Sequence, residues 1–180
     1  MSESGDEGRP AGTGDAEPPV PQEAPKARPR VFLVVVDETQ EMRNALRFAC
    51  RRAQHTRGRV ALLYVIEPVE FQHWLGVGRM MEDEARTAAE QKLQAVAAEV
   101  FAMTGSMPIL HMREGSRREE LLALIAEEES ISLLVLGTAS GGSSPGPLVN
   151  YLVGNMGGRL RVPVTLVPGH LTAQEIDQVT

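Results

Sequence analysis

The sequence predicts a doubly wound α/β fold: a single domain with a five-stranded, mainly parallel, Rossmann-like sheet and helices on both faces. Three observations predict it. Short apolar runs rich in Val, Ile and Leu recur along the chain, as in strands buried on both faces. Segments of helical periodicity separate these runs, and strands joined by helices pair in parallel through right-handed crossovers. Finally, 180 residues suffice for one domain with a sizeable core.

The chain begins differently. Six of its twelve prolines (Pro10, Pro18, Pro19, Pro21, Pro25 and Pro29) fall in the first 30 residues, together with Gly5, Gly8, Gly12 and Gly14. With few branched or aromatic side chains, residues 1–29 cannot offset their ordering entropy by burial and read as a disordered tail. The tail has neither the basic start and apolar middle of a secretory signal nor the Arg-rich character of a transit peptide. The cytoplasm is therefore the expected location.

From Arg30 the alternation sets in, defining a domain over residues 30–169 and a C-terminal tail over 170–180. Val31 to Val36 form the first strand, ending at Asp37. Met42, Ala45, Leu46, Ala49, Cys50 and Ala53 recur at helical spacing, with Arg43, Arg47 and Arg51 on the opposite side. After the turn signal Arg57-Gly58, Val60 to Ile66 form the second strand. An Ala-, Glu- and Gln-rich stretch from about Arg79 to Met103 is the second helix, and Pro108 to Met112 a third, weaker strand. Ser116-Arg117-Arg118-Glu119 has the spacing of a capping box and starts a third helix through Leu121, Leu122, Leu124 and Ile125. Leu133 to Leu136 form the fourth strand and Pro163 to Val167 the fifth, with a short helix from about Leu148 to Leu160 between them.

Composition excludes several roles. No run of 18 apolar residues exists, so no helix spans a membrane. The net charge of -6 argues against a nucleic-acid footprint. The first 30 residues contribute -2 of it (four basic, six acidic) and the remainder -4 (fourteen basic, eighteen acidic). The two lysines, Lys26 and Lys92, lie outside the ligand-facing loops. The single cysteine, Cys50, falls in an apolar helical stripe and reads as a buried hydrophobe.

In a doubly wound sheet, ligands sit at the carboxyl ends of the strands where the chain reverses direction. The loops to consider are Asp37–Gln40, Glu67–Gly78 and Gly137–Pro147. The third, with Gly137, Thr138, Ser140, Gly141, Gly142, Ser143 and Ser144, reads either as an anion cradle or as a flexible Gly/Ser turn closed by two prolines. Gly137 and Gly142 have P-loop spacing, but Ser143 stands at the lysine position. Asp37 stands where it either accepts hydrogen bonds from a ribose or caps the next helix, and Glu38 and Glu41 read as acidic residues of a first helical turn. His55, His73, His111 and His170 lack metal-ligand spacing, and no Gly-x-Ser-x-Gly elbow is present. Phe71, His73 and Trp74 either pack under the second helix or close over a ligand.

In order along the chain, Val34-Val35-Val36-Asp37, Leu62-Leu63-Tyr64-Val65-Ile66-Glu67-Pro68, Met112-Arg113-Glu114-Gly115 and Leu133-Leu134-Val135-Leu136-Gly137-Thr138 resemble the universal stress protein family over about residues 30–169. The resemblance implies an adenine nucleotide alpha hydrolase-like fold and a dimeric regulatory module in stress response or signalling. It also implies ATP or AMP binding without turnover, adenine against Val65, ribose near Asp37 and phosphates over Gly137 to Ser144. ATP-binding members carry Gly-x2-Gly-x9-Gly-Ser/Thr after the fourth strand. Here Gly137 is retained, Ser140 replaces the second glycine, and Asn150-Tyr151 replace Gly-Ser; a looser register uses Gly141 and Gly154-Asn155. The closing strand, Pro163 to Val167, is where many members form a homodimer, and an uncovered edge strand favours such pairing. A protein–protein interaction module with a vestigial cleft is the alternative.

Overall fold

The strands are β1 (Val31–Val35), β2 (Arg59–Ile66), β3 (Ile109–Glu114), β4 (Ile131–Thr138) and β5 (Val164–Pro168). The helices are α1 (Gln40–Thr56), α2 (Val77–Thr104), α3 (Arg117–Glu127), α4 (Pro147–Asn155) and α5 (Ala173–Gln178). The computed structural model describes residues 29–68, 77–139, 144–155 and 160–180. All strand pairs are parallel and their order is β3-β2-β1-β4-β5, so the chain reverses direction between β1 and β4. The N-terminal tail reading lies outside the described residues, except for its last residue.

The unbroken apolar run of β1 follows from its position at the centre. Phe32, Val34 and the following Val36 face α1, α2 and α5, while Val31, Leu33 and Val35 face α3 and α4. With both faces covered, neither has a place for polar side chains. β2 divides in the same way, Val60 and Leu62 on one side and Ala61, Leu63 and Val65 on the other. In α2, residues 80–88 are exposed, and only from Ala89 does the apolar stripe Leu93, Val96, Ala97 and Val100 bury itself. The helix thus extends well beyond the sheet it covers.

Local chemistry sets several boundaries. Thr39, not Asp37, is the N-cap of α1: its hydroxyl accepts from Met42 N at 3.2 Å. Asp37 supports that cap, its Oδ1 accepting from Thr39 N (2.8 Å) and Thr39 Oγ1 (2.6 Å). Glu38 precedes the helix and pairs with Lys92 of α2, which holds the Glu38 carboxyl below its ordinary range. At the far end Arg57, with φ 52°, takes the left-handed C-cap conformation that glycine usually supplies. Gly58 is needed for space instead, because a Cβ there would lie 2.5 Å from Arg30 O.

The expected capping box at Ser116 does not form. The Ser116 side chain makes no cap bond; Glu67, from the loop after β2, accepts from Arg117 N at 3.5 Å and pairs with the Arg117 guanidinium at 2.9 Å. The same helix is closed at its other end by Arg161, which donates to Ile125 O (2.7 Å) and Glu128 O (2.8 Å).

Residues 170–180 are not a tail. They contain α5, which begins with a complete capping box between Thr172 and Glu175 and buries Ile176 fully. α5 is fastened to α1 by the arginine stripe read from the sequence. Arg47 and Arg51 each bind both oxygens of Asp177, at 2.6–2.9 Å. Together they hold the Asp177 carboxyl far below its usual range, Arg47 contributing most. Buried Asn44 of α1 lies within 3.0–3.2 Å of the carbonyls of Pro168, Gly169 and Leu171. Its two amide hydrogens are shared among three acceptors, pinning the turn after β5. Cys50 lies in the core beneath this stripe, and burial pushes its thiol up to about 12.

Candidate functional site

The reversal of strand order between β1 and β4 separates the loops after those strands and opens a cleft of about 660 Å³ at their carboxyl ends. Among the described residues it is walled by Val35 to Met42 from β1 and α1, Glu67 after β2, Ser116 to Arg118 at the start of α3, Leu136 to Ala139 at the end of β4, and Pro145 to Val149 at the start of α4. A smaller depression of about 250 Å³ lies at the amino ends of β2 and β3, lined by Arg57, Arg59, Thr104 and Ser106.

Asp37 and Gly137 line the cleft. Gly137 has a packing reason to be glycine: a Cβ would lie 2.1 Å from Glu41 O and 2.3 Å from Glu41 C. The first turn of α1 rests directly on β4 at this point. Val65 is buried on the α3 and α4 side, in register with Arg113 of β3. Thr138, half-buried, ends β4; its carbonyl accepts from Gly169 N at 2.8 Å. Asn150 is exposed on α4, where its Nδ2 donates to Ser144 Oγ at 2.5 Å and its backbone N–H donates to Gly146 O at 3.0 Å. Ser140, Gly141, Gly142 and Ser143 lie outside the described residues, as does the aromatic trio Phe71, His73 and Trp74.

Sequence reasoning missed the cationic wall. Arg117 and Arg118 open α3 and line the cleft opposite the carboxylates of Asp37 and Glu41. Arg117 is paired with Glu67. Arg118 places its guanidinium carbon 5.1 Å from the centroid of the Tyr151 ring on α4, within cation–π range. The Ser116 capping signal marked the start of α3, but nothing local indicated that Arg118 would meet a ring 33 positions later.

The arrangement suits binding. One side of the cleft offers carboxylate and hydroxyl groups for a ligand's hydroxyls, the other offers cations for an anion. Among the described residues no group of three or more His, Cys, Asp or Glu is placed to hold a metal ion. His111 is half-buried on β3, where burial lowers its pKa, and is not part of the described cleft walls. No helix among the described residues is long and apolar enough to cross a membrane.

Comparison with known proteins agrees with this geometry. The model of the universal stress protein family matches residues 29–168. No curated protein matches the chain. Among solved structures, the chain is similar to the universal stress protein UspA from Lactobacillus plantarum, with 21% identity, 79% of this chain and 99% of that chain covered, and a TM-score of 0.62. A universal stress family protein from Burkholderia pseudomallei shares 20% identity, with coverage of 80% and 99% and a TM-score of 0.60. A universal stress protein family protein from Arabidopsis thaliana with AMP bound shares 12% identity, with coverage of 78% and 92% and a TM-score of 0.55.

Proposed function

Because the chain belongs to the universal stress protein family, we propose that it is a regulatory module of stress response or signalling that binds an adenine nucleotide, ATP or AMP, without turnover. The observation that carries this reading is the cleft at the strand reversal, with Asp37 and Gly137 on its walls. In this reading Asp37 accepts from the ribose, adenine sits towards Val65, and the phosphates lie over Gly137, Thr138 and Ser140 to Ser143, with Asn150 bordering them. Asp37 suits that role because its bonds to Thr39 engage Oδ1, leaving Oδ2 to accept. AMP bound to the plant relative makes AMP the first ligand to test.

The module works in the cytoplasm as a homodimer joined through β5. Two features support the pairing: among the described residues β5 is paired on one side only, and Leu166 on it is 40% exposed. Such an edge favours pairing with a second chain.

Native mass spectrometry of the purified protein tests both parts. The expected species is a dimer retaining nucleotide, or taking up one AMP per chain. A monomer overturns the dimer. Absence of uptake with AMP, ATP and adenosine overturns the nucleotide reading and leaves the interaction module in its place.

A further inference from the structure

We propose that Arg118, seated on the Tyr151 ring, grips the anionic end of the cleft's ligand and makes the site prefer a nucleoside monophosphate to the nucleoside. The proposal rests on the nucleotide reading above and assigns the residue that reads the phosphate. The walls of the cleft are polarised. Asp37 and Glu41 stand on the β1–α1 side and repel an anion, so an anionic end is directed to the α3 side.

Of the two cations there, Arg117 is already neutralised by Glu67. Arg118 forms no ion pair among the described residues, and its contact is the face of an aromatic ring. Such a contact restrains a guanidinium in position without consuming its N–H donors. Tyr151 is itself held, being partly buried against the α3 and α4 core. The donors of Asn150 on the neighbouring wall are spent, the amide on Ser144 and the backbone N–H on Gly146. Arg118 therefore presents a planar, pre-oriented fork to the cleft, and that fork matches two oxygens of a phosphate.

Isothermal titration of the full chain with AMP and with adenosine tests this. The wild type is expected to bind AMP about tenfold or more tightly than adenosine, the usual scale of a charge-assisted contact. Arg118→Ala should weaken AMP binding and bring the two ligands to near parity. Arg118→Lys, which keeps the charge and loses the fork, and Tyr151→Leu, which removes the seat, should fall between. If Arg118→Ala disturbs α3 enough to lower the Tm, Arg118→Gln gives the same comparison with the side-chain length kept.

An AMP preference that survives Arg118→Ala, or its absence in the wild type, overturns the proposal alone. A wild type that binds neither AMP nor adenosine overturns the nucleotide reading and the proposal together.

Discussion

On the face of the sheet covered by α1, α2 and α5, cations hold one element to another: Arg43 to Glu99, Lys92 to Glu38, and Arg47 and Arg51 to Asp177. On the face covered by α3 and α4, Arg113, Arg117 and Arg161 do the same with Glu127, Glu67 and the last carbonyls of α3, but Arg118 rests on an aromatic ring and looks into the cleft. One face is closed by polar clasps between elements far apart in sequence. The other stops short at its carboxyl end and leaves a charged fork available. The fork proposed to hold the ligand thus lies where, among the described residues, the scaffold leaves a charged group without an ion pair.

Gly137 stands on the boundary between the two faces, and Gly137→Ala should have the largest effect. The added Cβ meets the Glu41 backbone rather than a side chain that could swing away, so α1 must lift from β4. The expected loss is about 3 kcal/mol or more, equivalent to a fall in Tm of about 6–12 °C in a thermal melt. A variant that melts with the wild type would show that the close approach at Glu41 is dispensable.

Ile176→Ala attacks the closed face alone. The side chain is fully buried in the helix once expected to be a tail, and its truncation should cost about 2–5 kcal/mol in urea denaturation. AMP affinity should not change. A loss below about 0.5 kcal/mol, the scale of an ordinary surface change, would return α5 to the status of a fringe.

The two helix starts provide a paired test. Thr172→Ala breaks a formed capping box and should cost about 1 kcal/mol. Ser116→Ala removes a side chain that caps nothing and should stay within about 0.5 kcal/mol. Equal costs, measured by chemical denaturation, would contradict the contrast between them.

The smallest effect concerns acid. Arg47 and Arg51 depress the carboxyl of Asp177 in the folded chain, so its stabilisation is complete above the unfolded value of about 3.9. It is lost as pH falls below that value through the folded one. Asp177→Asn should therefore narrow the difference in Tm between pH 6 and pH 2.5, and salt should weaken the wild-type effect because the pair is partly exposed. An unchanged difference would mean that the clasp does not contribute to acid sensitivity.

The strands were legible because burial on both faces leaves a mark in consecutive residues: Val31 to Val36 needs no distant information to be read as a central strand. α5 was not read because it offers one core residue, Ile176, and no apolar period, although Thr172-Ala173-Gln174-Glu175 carries the spacing of a capping box. The same spacing at Ser116 located α3 but not its cap, since a carboxylate from the loop after β2, Glu67, reaches the helix start. Asp37 was legible as a residue serving the start of α1, but its route through Thr39 was not. At the cleft, loop position pointed to Asp37 and Gly137. The meeting of Arg118 with Tyr151 depends on how α3 and α4 lie side by side, which no local pattern encodes.

The sole cysteine acts as a stopwatch for the closed face. Cys50 is inaccessible, and at neutral pH its thiol stays protonated because burial raises its pKa to about 12. An alkylating reagent can reach it only when α1 lifts from the sheet. The labelling rate therefore counts those openings, without any introduced probe, and reports how often α1 parts from the sheet.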